Sequence, residues 1–173
     1  MSTPSSLKTV IARCHEELDR LFFLHQETVL VGELPRAVET LRAYLQAHEL
    51  HKNFEDNFLL SRLAELETPG DWPVSLYRHE HDKIVELMTS LERRVIELSA
   101  RQPAGRKLRR ELIELLDHEK SIKGLCEHHQ EREEAGMLPA LDRQTERAWR
   151  TSIIAPFVDE WRTTVTEPES NDN

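Results

Sequence analysis

Apolar residues recur along this chain at steps of three and four through four long stretches, the spacing that lays one face of an α-helix against a core. On the first stretch that face reads Ile11, His15, Leu18, Phe22, His25 and Val29; on the second it reads Leu41, Tyr44, His48, His51, Glu55 and Phe58. The third carries Tyr77, His81, Ile84, Met88, Leu91, Val95 and Leu98. The fourth carries Leu108, Leu112, Leu115, Glu119, Ile122, Cys126, His129, Glu133 and Met137. Breakers separate the stretches. Gly32 suits the C-terminal cap of a first helix over about 5–30, and Pro35 suits the first turn of a second that reaches about Leu66. Thr68-Pro69-Gly70 then breaks the chain, and Asp71 caps a third helix that tolerates Pro73 in its first turn and ends near Arg101. Gln102-Pro103-Ala104-Gly105 makes the next turn, and the fourth helix is predicted over about 106–137 with Pro139 as its stop.

Short turns between long helices make neighbours antiparallel, so the pattern predicts an all-α, up-down-up-down antiparallel four-helix bundle over residues 1–141. Residues 142–165 predict an added C-terminal amphipathic helix, kinked or split by Pro156, that packs on the bundle through Trp149, Ile153, Phe157 and Trp161. The polar end, 166–173, is expected to be a disordered tail. No stretch reads as a strand, and no repeat of fixed period occurs.

Composition narrows the function classes. The 173 residues carry a formal net charge of −9, which disfavours nucleic acid and anionic membranes as partners, since both reward basic surfaces. No apolar run approaches the roughly 18 residues that span a bilayer, and the first residues lack the apolar core of a secretory signal. Only two cysteines occur, Cys14 and Cys126, in no CxxC pattern, so no disulfide framework and a cytoplasmic location are expected. Both read better as small buried hydrophobes than as redox sensors.

Nine histidines change the picture. Each apolar face carries at least one, and two faces carry a His-xxx-Glu pair, His51 with Glu55 and His129 with Glu133. Four residues apart, both side chains of a pair share one helical face, one turn apart. A carboxylate turned into a core must pair or bind a cation, and neither lysine nor arginine stands on these faces at the corresponding positions. Neutral imidazole with carboxylate suits iron, manganese, zinc or copper better than calcium or magnesium. The depths also agree. His15 lies 17 residues before Gly32 and His51 19 after it, while Glu55 lies 14 before Pro69 and His81 12 after it. The third turn matches less well, with His81 22 residues before Pro103 and His129 26 after it; that is an offset of about 6 Å at 1.5 Å per residue.

The other histidines have plainer readings. His25 and His48 read as hydrogen-bonded core residues, with His48 the substitute for His51 if the register slips. His79 reads as solvated, His118 as structural, and His128 as flanking His129. Asp56 and Glu134 fall at the rim, where they are placed to orient ligand imidazoles.

The order His15, His51-xxx-Glu55, His81, His129-xxx-Glu133 resembles the hemerythrin-like, HHE cation-binding proteins. HKNFEDNFLL and HHQEREEAGMLPAL match that family's two HxxxE blocks, each followed by apolar residues, and HEHDKI matches the histidine block between them. The likeness covers roughly residues 7–141. It implies a four-helix bundle around a non-haem di-iron centre, with His15, His51, His81 and His129 as terminal ligands and Glu55 and Glu133 as bridges. Two nitrogen-rich ferrous ions with an open position suit reversible binding of O2 or NO. One position departs from the family pattern. Oxygen-carrying members have a further histidine four residues before the one matching His81, and Tyr77 stands there. A phenol at that place can ligate ferric iron, bond a bound ligand or pack, and it moves the expected role from carriage toward sensing or iron–sulfur repair.

The function expected from the sequence is therefore binding or sensing of O2, NO or related oxidants, with no catalytic residues assigned. Peroxide or NO detoxification, or iron–sulfur cluster repair, is the alternative within the same centre. A metal-free helical module that acts through a protein partner is the alternative without it; the protein partner is not identified by the sequence, and a homo-oligomer is compatible with either reading.

Overall fold

The periodic stretches fold as helices because each has a buried face and a proline-free interior beyond its first turn. In the computed structural model, which describes residues 6–68 and 70–165, α1 spans Leu7–Leu30, α2 Leu34–Phe54, α3 Leu60–Leu63 and α4 Val74–Arg101. Then come α5 at Gly105–Arg132, α6 at Leu138–Gln144 and α7 at Arg147–Val165. Among the described residues every regular element is helical. The predicted tail at 166–173 lies outside the described residues. No helix among them is long and apolar enough to cross a membrane.

The helix ends are made by short-range chemistry. Ser6 caps α1, and the Asp142 carboxylate accepts from Ser6 Oγ and the Leu7 amide at 2.8 Å each and from the Lys8 amide at 3.2 Å. One carboxylate thus satisfies the free amides of α1 and ties its start to α6. At the other end of α1, Gly32 takes φ 78° and donates to Val29 O at 3.0 Å while Glu33 donates to Thr28 O at 3.0 Å. This is the left-handed helix stop expected of a glycine there.

Contacts between elements run from α1 to α2, α2 to α4, α4 to α5 and α5 back to α1. The core holds Leu7, Ile11, Leu41, Leu91, Leu115 and Ile122, all nearly inaccessible to water. Despite the offset of about 6 Å expected between them, the His81 and His129 imidazoles meet, with ring centroids 4.6 Å apart.

Three expectations are corrected. The second and fourth helices do not hold one phase: each contains a π-helical turn, at Glu55–Leu59 and Glu133–Met137. A π-turn inserts an extra residue and rotates the residues beyond it by about 100°. Phe58, expected inside, is therefore 46% exposed, and Leu59 is buried in its place. Pro139 does not stop the fourth helix. It falls in the first turn of α6, directly after the π-turn, where a missing N–H costs little. Finally, α7 runs through Pro156 without a break, and its deepest residue is Ile154 beside Phe157 and Trp161, with Ile153 and Trp149 only partly covered.

Candidate metal centre

All four long helical runs deliver a side chain to one buried point. α1 brings His15, α2 brings His51, and the first π-turn opens with Glu55. α4 brings His81, α5 brings His129, and the second π-turn opens with Glu133. All six are buried, and both glutamates have no exposed surface at all.

The carboxylates divide their oxygens between two halves. Glu133 Oε2 lies 3.2 Å from His15 Nε2, while its Oε1 lies 3.0 Å from His129 Nε2 and 3.8 Å from His81 Nε2. Glu55 Oε1 lies 3.3 Å from His51 Nε2, and its Oε2 lies 3.3 Å from His81 Nε2. Two groups of four result, His15, His51, Glu55 and Glu133, and Glu55, His81, His129 and Glu133. Within each group the ligand atoms lie within 4.8 Å of one another.

These groups can hold a metal ion. The Nε2 atoms of His15 and His81 and all four oxygens of the two glutamates are buried without a hydrogen-bond partner. The nitrogens and oxygens approach one another closely, yet their geometry is not that of hydrogen bonds, as when lone pairs converge on a common point. Buried polar atoms left in this way are costly in a native core, and a cation between them removes the cost.

A ring of carboxylates holds the imidazoles from behind. His15 Nδ1 donates to Glu134 at 2.8 Å, His81 Nδ1 to Asp56 at 2.8 Å, and His129 Nδ1 to Glu80 at 3.0 Å. Each bond puts a proton on Nδ1 and turns Nε2 inward, the arrangement by which outer carboxylates orient metal-binding histidines. Asp56 and Glu134 occupy the orienting positions expected for them. Glu80 is a residue that the sequence reading misses. Its signal is present, since it lies three residues after Tyr77 and directly before His81, on the flank of the buried face.

The electrostatics of the centre reflect this crowding. Burial disfavours a charged His81, but Asp56, Glu133 and Glu55 outweigh it and push its pKa up to about 11. His15 and His129 are likewise pushed up to about 9 against burial, by Glu133 above all. Burial and the neighbouring Glu133 charge push Glu55 up to about 7, whereas the surrounding histidines hold Glu133 well below the usual carboxylate range despite its burial.

The remaining candidates fall outside the two groups. Tyr77 stands beside His129 with ring centroids 6.4 Å apart, and its hydroxyl donates to Arg132 O at 3.4 Å. Burial and the Glu133 and Glu80 charges raise that phenol to about 12, so it keeps its proton. His25 is a satisfied core residue, with Nδ1 2.9 Å from Ala37 O and Nε2 3.2 Å from the buried Glu119. His48 is half-buried and lines a cavity of about 10 Å³ against His51, His81 and His129. Burial and the nearby imidazoles lower its pKa to about 3. His79 and His128 are exposed, His128 beside Glu131. Cys14 is buried, and burial together with Glu55 holds its thiol protonated.

Comparison with protein-family models, with curated proteins and with solved structures finds no match for this chain.

Proposed function

We propose that the helices close as an up-down-up-down four-helix bundle of the hemerythrin-like kind, and that its centre holds two iron ions and binds or senses O2, NO or a related oxidant. The observation that carries this reading is the division of each buried glutamate between two histidine pairs, with every carboxylate oxygen otherwise unpartnered. Glu55 and Glu133 would bridge, with His15 and His51 on one ion and His81 and His129 on the other. Ferrous ions held there, each by two imidazoles and the two shared carboxylates, would supply reversible binding of diatomic ligands.

The residues of the chain have separate tasks. Asp56, Glu80 and Glu134 fix the tautomer and orientation of their imidazoles, and Tyr77 braces the second π-turn through Arg132 O. The cavity of about 10 Å³ bounded by His48, Tyr44, Leu18 and Ile84 has room for one molecule of about the size of water. Space on that scale favours a diatomic ligand over an organic substrate.

The test is anaerobic reconstitution with ferrous iron, followed by optical spectra on exposure to NO and then, separately, to air. Absorption bands that appear with either gas and reverse on its removal support the reading. Steady-state consumption of peroxide or NO with a reductant, or transfer of iron to an apo iron–sulfur protein, would replace it with detoxification or repair. Unchanged folding under a chelator together with no iron uptake would leave the interaction module.

A further inference from the structure

Two halves of the centre are built on one plan, and one of them is incomplete. α1 and α4 play equivalent parts, as do α2 and α5. His81 reaches across to Asp56, the residue after Glu55; His15 reaches across to Glu134, the residue after Glu133. His129 is held by Glu80, the residue before His81, and Glu80 is in turn paired with Arg132, three residues after His129. The same plan applied to His51 calls for a carboxylate at position 14 and a cation at position 54. Cys14 and Phe54 stand there. His51 Nδ1 is accordingly buried with no hydrogen-bond partner.

The added helix explains what fills this side. Trp161 of α7 meets His51 edge to face with centroids 6.2 Å apart, and Phe157 stacks on Phe54 at 4.0 Å and 15°. A carboxylate sealed beneath these rings without its cation would be costly, so an apolar pair suits the covered half. The opposite half keeps its ion pair at a more open edge, where the Arg132 side chain is 30% exposed.

We propose that the two metal positions are inequivalent: the His81–His129 position binds first and tightly, and the His15–His51 position binds last and releases first. Glu80 is the positioning residue that makes the difference. This inference rests on the metal reading above. An imidazole whose Nδ1–H has no acceptor is a poorer and less fixed donor at Nε2, and loss of such an outer partner weakens metal binding by about 10- to 100-fold.

Cobalt(II) titration of the full chain, followed by calorimetry and visible absorption, tests the order of filling. The wild type should take up two equivalents in two steps at least about tenfold apart. Because two neighbouring cations repel, two steps alone decide nothing, and the variants carry the test. His51→Ala should abolish only the weak step, and His129→Ala should abolish the tight one. Glu80→Gln, which keeps the side-chain shape, should weaken the tight step about tenfold and narrow the gap, with the helical circular dichroism unchanged. Retention of the tight step in His129→Ala, or equal weakening of both steps in Glu80→Gln, would overturn the inequivalence while leaving the metal centre intact. No cobalt uptake by the wild type would sink the metal reading itself.

Discussion

Without bound metal, the stability of the protein should fall as pH rises above neutral. In the metal-free protein His15 and His129 are raised from 6.5 to about 9 because Glu133, aided by Glu134 and Glu80, favours their charged forms more than burial disfavours them. A histidine raised in this way stabilises the fold fully below pH 6.5, and the contribution is lost as pH rises through about 9. At about 1.4 kcal/mol per pH unit, that rise corresponds to about 3 kcal/mol for one such histidine. Both lean on Glu133, so their losses overlap, and about 3–5 kcal/mol from this pair is expected between pH 6 and 9.5, with His81, raised to about 11, adding to the fall in the same direction. Glu55, raised to about 7 by burial and by Glu133, acts in the same direction, because its proton is lost more readily from the unfolded chain. For a chain of this size 1 kcal/mol moves Tm by about 2–4 °C, so this pair alone should lower the melting temperature of the metal-free protein by roughly 6–20 °C from pH 6 to pH 9.5. Metal ions take the place of these protons, so the loaded protein should show no such fall, and metal affinity should rise over the same range. The assay is thermal unfolding by circular dichroism across pH, with and without chelator. A metal-free protein whose Tm stays level or rises from pH 6 to 9.5 would show that Glu133 does not hold these histidines in their charged forms.

Three further outcomes rest on particular contacts. Gly136→Ala should cost about 1–3 kcal/mol in denaturant unfolding, since a β-carbon there would come within 2.8 Å of the Trp72 ring and 3.2 Å of the Tyr77 hydroxyl. Asp142→Ala should cost about 1–2 kcal/mol by the same measurement, as the cap of α1 is lost. Asp56→Asn should weaken metal binding about tenfold in a chelator competition, since His81 loses its carboxylate partner while the helices remain.

The buried histidine–glutamate cluster is legible in the sequence because it obeys simple helical arithmetic. His51 with Glu55 and His129 with Glu133 share a face at four-residue spacing, and the turns at Gly32 and near Gly70 bring those faces to one level. The capping glycine and the orienting carboxylates Asp56 and Glu134 are readable for the same local reason. The π-turns are not, because a 3.6-residue period cannot register one inserted residue. The phase error at Phe58 and the false stop at Pro139 both stem from that. Ile154 escapes notice on α7 for a related cause, since its covered face is set by where the helix lies on α1 and α2 rather than by its own periodicity. Glu80 shows a different limit. Its role depends on meeting His129 of another helix, and no spacing within α4 contains that contact.

The most direct test of the central reading is the metal content of the intact protein after anaerobic loading with ferrous iron and removal of unbound ions, beside Glu133→Ala treated in the same way. The account expects about two irons per wild-type chain, and at most one in the variant, because Glu133 faces both histidine pairs. A wild type that retains no iron, or a variant that retains as much as the wild type, would contradict it.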